Sequence, residues 1–170
     1  LKFDSPEELQ LAVETGAIDL GIDHVGLVQE YLRPSDRFIV RVEILDGEFL
    51  YAIRLPTSDE SFNYCPADGC NVENPDLAVE ACSPPESIIN DVRSILSASQ
   101  VEEGSVEYLV NETDGQVYYY DVNPLSNFVA DAPKVVGFDP FARFVDYILD
   151  RAHMAEEVDM SPGGDRGVQM

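Results

Sequence analysis

The sequence predicts an α/β domain of the α+β kind, in which antiparallel hairpins form a sheet and helices pack on one of its faces. Two stretches with the period of strands surround turn signals, at 38–55 and 105–123, and three stretches have the apolar spacing of helices. The chain of 170 residues is long enough to bury one sizeable core. We therefore expect one domain, or a large part of one, over 1–154, followed by a polar, glycine-containing and disordered tail at 155–170.

Capping signals mark the beginnings of the three helices. Ser5-Pro6-Glu7-Glu8 combines an N-cap serine, a proline suited to the first helical position and a glutamate that closes a capping box. Ser83-Pro84-Pro85-Glu86 repeats this pattern before a helix that should run to about Ser99. Asp139 is expected to cap the last helix. A short buried strand is predicted at 25–28, between the first helix and the first hairpin.

The dipeptide Asp46-Gly47 predicts the first hairpin, over 38–55. It is the strongest short signal for a two-residue type I′ turn. Counted from this turn, the alternation of side chains gives one apolar face that belongs to the core. Arg41, Glu43 and Arg54 fall on the opposite face, which we expect to lie at the surface.

A second hairpin follows around Thr113-Asp114-Gly115. The expected loop has three residues and ends on a left-handed glycine, so that Glu112 pairs with Gln116. In this register one face of the hairpin is plainly apolar and should belong to the core. Its members are Val106, Tyr108, Val110, Tyr118, Tyr120 and Val122.

The polar face of the second hairpin is a candidate metal site. In the predicted register Glu107 lies directly opposite Asp121, and Asn123 shares their face. Two opposed carboxylates destabilise a strand pair unless something offsets their repulsion. Mg²⁺ does so, because it takes oxygen ligands and is usually held by one or two carboxylates together with phosphate oxygens. The alternative is that both carboxylates simply face solvent on an acidic surface.

The charge balance excludes several classes of partner. With 33 acidic and 10 basic side chains, the formal net charge is −23, which repels phosphate backbones and anionic lipid. We therefore expect no nucleic acid and no membrane as partners, and no apolar run approaches the roughly 20 residues of a membrane span. A nucleotide that carries its own divalent cation is compatible with this charge.

The cysteines favour a reducing, cytoplasmic location, because three is an odd count for a disulfide framework. Cys65 and Cys70 lie in a long stretch without clear period, 57–82, which predicts a loop, and Cys82 ends it. A zinc site would need a fourth ligand that no nearby histidine supplies. A structural or incidental role is therefore favoured for the three cysteines.

Three segments, in this order, resemble the ATP-grasp superfamily. The first is Val28-Gln29-Glu30-Tyr31-Leu32, the second is Phe38-Ile39-Val40-Arg41-Val42 before Asp46-Gly47, and the third is the second hairpin with its ending Asp121-Val122-Asn123-Pro124. Together they span most of 25–128. Each motif alone is weak, and their common order and spacing make the resemblance specific.

The resemblance implies where ATP and its metal would bind. The first segment is similar to the hinge strand that receives adenine through backbone atoms, which gives Gln29, Glu30, Tyr31 and Leu32. Asp36 is a candidate for the ribose hydroxyls, although a plain turn residue is favoured. Glu107, Asp121 and Asn123 would hold Mg²⁺, or Mn²⁺, on ATP.

The resemblance also implies a catalytic role for Arg41, with Arg54 on the same face, in offsetting negative charge on the phosphates. The alternative for Arg41 is a salt bridge to Glu43. If Arg41 serves the triphosphate from a surface position, Arg41→Met should leave stability nearly unchanged and weaken ATP more than adenosine.

The chain departs from the family in two respects. Asp121 stands where the family usually has glutamate, which keeps the chemistry and shortens the reach. The Gly-rich loop over the phosphates and its lysine are not recognisable, and Leu1–Glu8 resembles the segment just after that loop. The chain therefore looks like the C-terminal part of an ATP-grasp unit, a partial domain whose partner would be the N-terminal half of the same parent protein.

The function implied is ATP-dependent ligation of a small carboxylate to an amine or thiol through an acyl phosphate, with this chain as the part that binds Mg-ATP. Ser126-Asn127 follows the metal strand, either near the acceptor substrate or as a polar loop cap. Whether the chain takes part in an enzyme depends on the upstream loop. The alternatives are a non-catalytic nucleotide- or metal-binding domain and an ATP-grasp phosphotransferase.

Overall fold

The structure is a computed structural model, and it describes residues 1–57, 79–129 and 132–160. The predicted cysteine-containing stretch around Cys65 and Cys70, and the tail beyond Met160, lie outside these residues. The strands form one sheet in the order β3-β2-β1-β4-β5, which confirms the predicted α+β fold with antiparallel hairpins. The described elements are α1 (Pro6–Glu14), β1 (Phe38–Leu45), β2 (Glu48–Pro56), β3 (Glu80–Cys82), α2 (Glu86–Ala98), β4 (Glu103–Val110), β5 (Val117–Pro124), α3 (Ala132–Val136) and α4 (Pro140–Met160).

The chain divides into two compact units. Unit 1 contains α1 and the tip of the second hairpin, and unit 2 contains α2, most of β4 and the end of β5. Unit 1 consists of Leu1–Ile39, Leu55–Ala78 and Tyr108–Tyr119, and unit 2 of Val40–Arg54, Val79–Glu107 and Tyr120–Met170.

The helix caps agree with the sequence at two of three places. At α1 the Ser5 hydroxyl accepts from the Glu8 amide at 3.2 Å, and the Glu8 carboxylate accepts from the Asp4 amide at 2.9 Å. At α4 the Asp139 carboxylate accepts from the Phe141 amide at 2.9 Å. The predicted cap by Ser83 is wrong, because α2 begins only at Glu86 and none of the described side chains caps it.

The reason for the late start of α2 lies in its two prolines. A residue that precedes proline is kept out of the helical region, so Pro84 cannot belong to the first turn. Pro85 takes the N-cap position instead, and its carbonyl accepts from the amides of Ile88 and Ile89 at 3.0 and 3.2 Å.

The last helix extends through Met160 and so includes the first residues of the predicted tail. Among the described residues, no helix is both long enough and apolar enough to cross a membrane.

The strand predicted at 25–28 is wrong. These residues have no regular secondary structure, and the side chains of Val25, Leu27 and Val28 are 76%, 83% and 71% exposed. A strand needs a neighbour for its backbone hydrogen bonds. Pairing of this part of the chain starts later, where Pro34 forms an antiparallel bridge with Asn111.

The first hairpin has the predicted turn and a different register at its far end. Asp46 and Gly47 have φ values of 54° and 73°, as a type I′ turn requires. The predicted register would place Pro56, which has no N–H, opposite Arg37. The structure instead has Thr57 donating to the Arg37 carbonyl at 2.7 Å, so β2 accommodates one more residue than β1.

The second hairpin also contains one additional residue. Asn111 donates to the Gln116 carbonyl at 2.9 Å and Gly115 donates to the Asn111 carbonyl at 2.9 Å, so the turn has four residues and the predicted pairing of Glu112 with Gln116 is wrong. Gly115 has the expected positive φ, 68°. At the other end, Leu125 donates to the Glu103 carbonyl at 3.0 Å, which is the predicted register. Between these points β5 holds one more residue than β4.

Strand order explains two further differences from the sequence predictions. β1 and β4 are interior strands, and β4 is buried on both faces over most of its length. The face of β1 that carries Arg41 and Glu43 is therefore buried rather than at the surface. β5 is an edge strand, so Tyr118, Tyr120 and Val122 are 36%, 37% and 40% exposed rather than in the core.

Candidate functional site

Unit 2 contains a buried cluster of charged and hydroxyl side chains, which we call the carboxylate cluster. β1 supplies Arg41 and Glu43, alternate residues that share one face. β4 supplies Glu103, Ser105 and Glu107 in the same alternating way, and Ser126 follows β5. The exposed fractions are 6% for Arg41, 0% for Glu43, 7% for Glu103, 0% for Ser105, 2% for Glu107 and 6% for Ser126.

Arg41 supplies positive charge within the cluster. Its Nε donates to Glu43 Oε1 at 2.8 Å, and its Nη2 donates to Ser126 Oγ at 2.8 Å. Its Nη1 lies 3.8 Å from Glu107 Oε1, within ion-pair distance and beyond hydrogen-bond distance. The salt bridge to Glu43 that the sequence offered as an alternative is thus present, and it is buried rather than at the surface.

Ser126 joins the strands of the cluster through its hydroxyl and its amide. The hydroxyl donates to Glu43 Oε1 at 2.9 Å, and the amide donates to Glu103 Oε1 at 3.0 Å. These contacts of Ser126 agree with the polar loop cap, one of the two roles considered from the sequence for Ser126-Asn127.

The cluster holds three carboxylates against one guanidinium. Among the described residues, Glu43 Oε2, Glu103 Oε2 and Glu107 Oε1 are buried without a hydrogen-bond partner of good geometry, although the Tyr51 hydroxyl is near enough to lower the pKa of Glu43. Burial raises the pKa of all three carboxyl groups, and it raises that of Glu103 to about 7, with the nearby Glu43 charge adding to the effect. The cluster therefore favours protons or another cation as the means of offsetting its negative charge.

The proposed metal ligands lie at the edge of this cluster. Tyr120 donates its hydroxyl proton to Glu107 Oε2 at 2.9 Å, and this hydrogen bond lowers the Glu107 pKa against the larger effect of burial. The Asp121 charge in turn raises the pKa of Glu107, so the two carboxylates are close enough to interact. Asn123 Nδ2 donates to Asp121 Oδ2 at 3.0 Å.

These residues fit a hard divalent cation in their donor chemistry. Glu107 Oε1 is a buried carboxylate oxygen that has no hydrogen-bond partner within the described part of the chain. Because Asn123 turns its amide nitrogen towards Asp121, its amide oxygen remains as the atom that can coordinate a cation. Within the described ranges, no group of three or more His, Cys, Asp or Glu side chains is arranged to hold a metal by itself, so further ligands would come from nucleotide and water.

Arg54 has surroundings different from those of Arg41. It is exposed and lies on β2 opposite Glu80 of β3. Its positive charge and hydrogen bond lower the pKa of the Cys82 thiol, although burial raises that pKa overall. Arg41, by contrast, is buried and pairs with Glu43 on β1 and Glu107 on β4.

The predicted adenine segment lies in unit 1. It has no strand structure, and Glu30, Tyr31 and Leu32 line an open cavity of about 330 Å³. The cavity is also lined by Arg33, Asn111, Thr113, Asp114 and Tyr118. Lys2 Nζ lies 4.9 Å from the centre of the Tyr31 ring, a cation–π distance. Asp36 is exposed in the turn before β1.

Sequence reasoning did not identify Glu103 or Tyr120 as members of the site. Glu103 could have been found, since alternation from Glu107 places it on the same face. Tyr120 could not, because its position beside Glu107 depends on the four-residue turn.

Comparison with known proteins identifies the fold of the chain through solved structures. No protein-family model matches the chain, and no curated protein matches it. The ATP-grasp ligase PsnB, complexed with a phosphomimetic variant of its minimal precursor, Mg and ADP, has a TM-score of 0.53 and 15% identity over 72% of this chain and 34% of that chain. The macrocyclase MdnC bound with precursor peptide MdnA, from Microcystis aeruginosa MRC, has a TM-score of 0.50 and 12% identity, and the match covers 72% of this chain and 32% of that chain.

D-alanine–D-alanine ligase from Bacillus anthracis, complexed with ATP, has a TM-score of 0.57 and 17% identity, and the match covers 91% of this chain and 49% of that one. The chain thus spans less than half of the length of each of these structures. The fold is ATP-grasp-like, as the sequence motifs predict, and it corresponds to part of an ATP-grasp chain.

Proposed function

We propose that the chain is the Mg-ATP-binding C-terminal part of an ATP-dependent ligase, which joins a carboxylate to an amine or thiol through an acyl phosphate. The observation that carries the proposal is the group Glu107, Asp121 and Asn123 on the last hairpin of an ATP-grasp-like sheet, in which Glu107 Oε1 accepts no hydrogen bond from the described residues. Similar structures complexed with ATP, or with Mg and ADP, support the choice of ligand.

Five side chains of unit 2 would act on the metal and the phosphates. Glu107, Asp121 and Asn123 hold Mg²⁺ or Mn²⁺, which neutralises negative charge on the phosphates when it is bound. Arg41, whose Nη1 lies 3.8 Å from Glu107, adds a fixed positive charge beside these ligands. Arg54 is the exposed candidate for a phosphate contact.

In unit 1, the proposal assigns adenine to the backbone of Gln29–Leu32. Asp36 is the candidate for the ribose hydroxyls. The Gly-rich loop and its lysine are assigned to the N-terminal half of the parent protein, which would also bring the remainder of the substrate site. A small carboxylate and an amine are the proposed substrates.

A metal titration tests the central assignment. Mn²⁺ binding to the chain, with and without ADP, is measured by electron paramagnetic resonance for the wild type, Asp121→Asn and Asp150→Asn. Asp150 is an exposed acid on α4, so its change removes the same charge from an element that supplies none of the proposed ligands. We expect ADP to strengthen Mn²⁺ binding, Asp121→Asn to weaken it and Asp150→Asn to leave it unchanged. Equal binding by all three proteins would remove the metal assignment.

The reaction class is tested with the parent protein. ADP release that requires both a carboxylate and an amine supports the ligase. Release with a hydroxyl acceptor alone indicates a phosphotransferase, and nucleotide binding without release indicates a binding domain. We expect the chain by itself to release no ADP.

A further inference from the structure

The segment that leaves β5 has an unusual backbone. Leu125 has a φ of 60° and Phe128 a φ of 43°, in the left-handed region that residues with a side chain seldom adopt. The Leu125 side chain is 71% exposed, so its own burial does not compensate for this conformation. Such backbone persists only where surrounding contacts impose it.

Ser126, between these two residues, provides those contacts. A serine hydroxyl has one proton to donate and two lone pairs to accept with. The Ser126 hydroxyl uses all three, because it donates to Glu43 and accepts from Arg41 Nη2 at 2.8 Å and from the Phe128 amide at 3.2 Å. Its amide donates to Glu103, which adds a fourth hydrogen bond.

Phe128 fixes the far end of the segment. It is 4% exposed, and its ring lies 5.1 Å from that of Phe141 and 6.2 Å from that of Phe144, both in edge-to-face arrangement. At the near end the Leu125 amide donates to the Glu103 carbonyl. The backbone between Asn123 and Phe128 is thereby held at three successive points.

Asn123 is directly affected by this arrangement. A Cβ atom at Gly104 would lie 2.6 Å from the Asn123 carbonyl oxygen, so the two backbones touch and Asn123 has little freedom to shift towards β4. Arg41 connects Ser126 with Glu107, because its guanidinium donates to the Ser126 hydroxyl and lies within ion-pair distance of Glu107.

We propose that Ser126 is a positioning residue that holds Leu125 and Phe128 in their left-handed conformations and thereby fixes Asn123 and Arg41 relative to Glu107. The inference rests on the proposed metal-binding function. It adds a residue that touches neither metal nor nucleotide and acts through the ligands. Residues that orient metal ligands in this way commonly change metal affinity by 10- to 100-fold when they are replaced.

The test compares Mn²⁺ affinity in the presence of ADP among variants of the chain. Ser126→Ala removes the hydroxyl, and we expect it to weaken Mn²⁺ binding about tenfold. Ser94→Ala is the matched control, because this hydroxyl donates only to the Asn90 carbonyl on the exposed side of α2. We expect this control to bind as the wild type does.

A second change separates positioning from general destabilisation. Glycine adopts positive φ without strain, so Leu125→Gly added to Ser126→Ala should restore most of the lost affinity, whereas Leu125→Ala should not. A merely structural Ser126 would leave the Mn²⁺ affinity of the folded chain unchanged, so there would be no loss to restore. If Ser126→Ala does not fold, the single change Leu125→Val serves instead, because a β-branched residue disfavours positive φ from an exposed position.

The outcomes are distinct. Wild-type chain that binds no Mn²⁺ with ADP would overturn the proposed function and this inference with it. Wild-type binding with unchanged affinity in Ser126→Ala, or in Leu125→Val where that variant is used, would overturn the inference alone. A loss in Ser126→Ala that glycine at 125 does not restore would also overturn it, since the backbone conformation would then not be the link.

Discussion

Glu103 offers a direct test of the carboxylate cluster, through the change Glu103→Gln. Glu103 is 7% exposed, its Oε1 accepts from the Ser126 amide, and its Oε2 has no hydrogen-bond partner among the described residues. Burial, aided by the charge of Glu43, raises its pKa to about 7. Glutamine has the shape of the protonated acid and keeps the oxygen that accepts from Ser126. The variant therefore removes the titration and leaves the contact.

The sign and size of the effect follow from proton linkage. An unfolded glutamate loses its proton near its ordinary pKa of 4.5, whereas Glu103 in the folded chain keeps its proton up to about pH 7. The folded state thus binds more protons between these values, so stability falls as pH rises through this interval. The loss due to this residue between about pH 5 and pH 8 is roughly 2–3 kcal/mol. Glu103→Gln should abolish that part of the loss.

The assay is urea unfolding of wild type and Glu103→Gln between about pH 5 and pH 8. We expect the variant to gain roughly 2–3 kcal/mol relative to wild type across this range. Glu102→Gln removes a neighbouring, exposed carboxylate whose pKa is lowered by hydrogen bonds from Tyr147 and Arg151, so it should show no such gain. A stability difference between wild type and Glu103→Gln that does not change with pH would refute the reasoning.

Two further predictions concern the contacts around Glu107. Arg41→Met should destabilise the chain by roughly 3–5 kcal/mol in urea unfolding, because it leaves the buried Glu43 without its ion pair. A loss below about 1 kcal/mol would contradict this and would indicate that Arg41 lies at the surface, as expected from the sequence. Tyr120→Phe should raise the Glu107 pKa further, as followed by carbon-13 NMR of the carboxyl groups, because it removes the hydrogen bond that favours the charged form. Tyr118→Phe is its control, since that hydroxyl donates to Asp114, and a Glu107 pKa that stays the same in Tyr120→Phe would contradict the assignment.

Local signals in the sequence predicted local structure well. The type I′ turn at Asp46-Gly47 and the capping box of Ser5 with Glu8 depend on neighbouring residues alone, and both are confirmed. The two strand registers were only half predictable. Each was counted from its turn on the assumption of equal strand lengths, and in each hairpin one strand accommodates an additional residue.

Burial could not be predicted from the hairpins, because it depends on strand order. Alternation along β1 separated an apolar face from the face of Arg41 and Glu43, and it suggested that the second face lies at the surface. Once β4 pairs beside β1, that face is covered as well. The same reasoning failed in the opposite direction for Tyr118 and Val122, whose strand is at the sheet edge.

The carboxylate cluster is difficult to explain as a device for stability. Replacement of a buried ion pair by apolar side chains of similar volume is often neutral or stabilising, so Glu43, Glu103 and Glu107 around one Arg41 impose a cost that a fold alone does not require. Backbone strain at Leu125 adds a second cost in the same unit. A divalent cation beside Glu107 would reduce the cost of burying these charges. It offsets the surplus negative charge and displaces protons from the carboxyl groups whose pKa is raised. Local rules of folding are broken together at a binding site more often than elsewhere in a chain. The coincidence of unpartnered carboxylate oxygens, surplus charge and strained backbone therefore supports cation binding at this end of β4 and β5, independently of the likeness in fold.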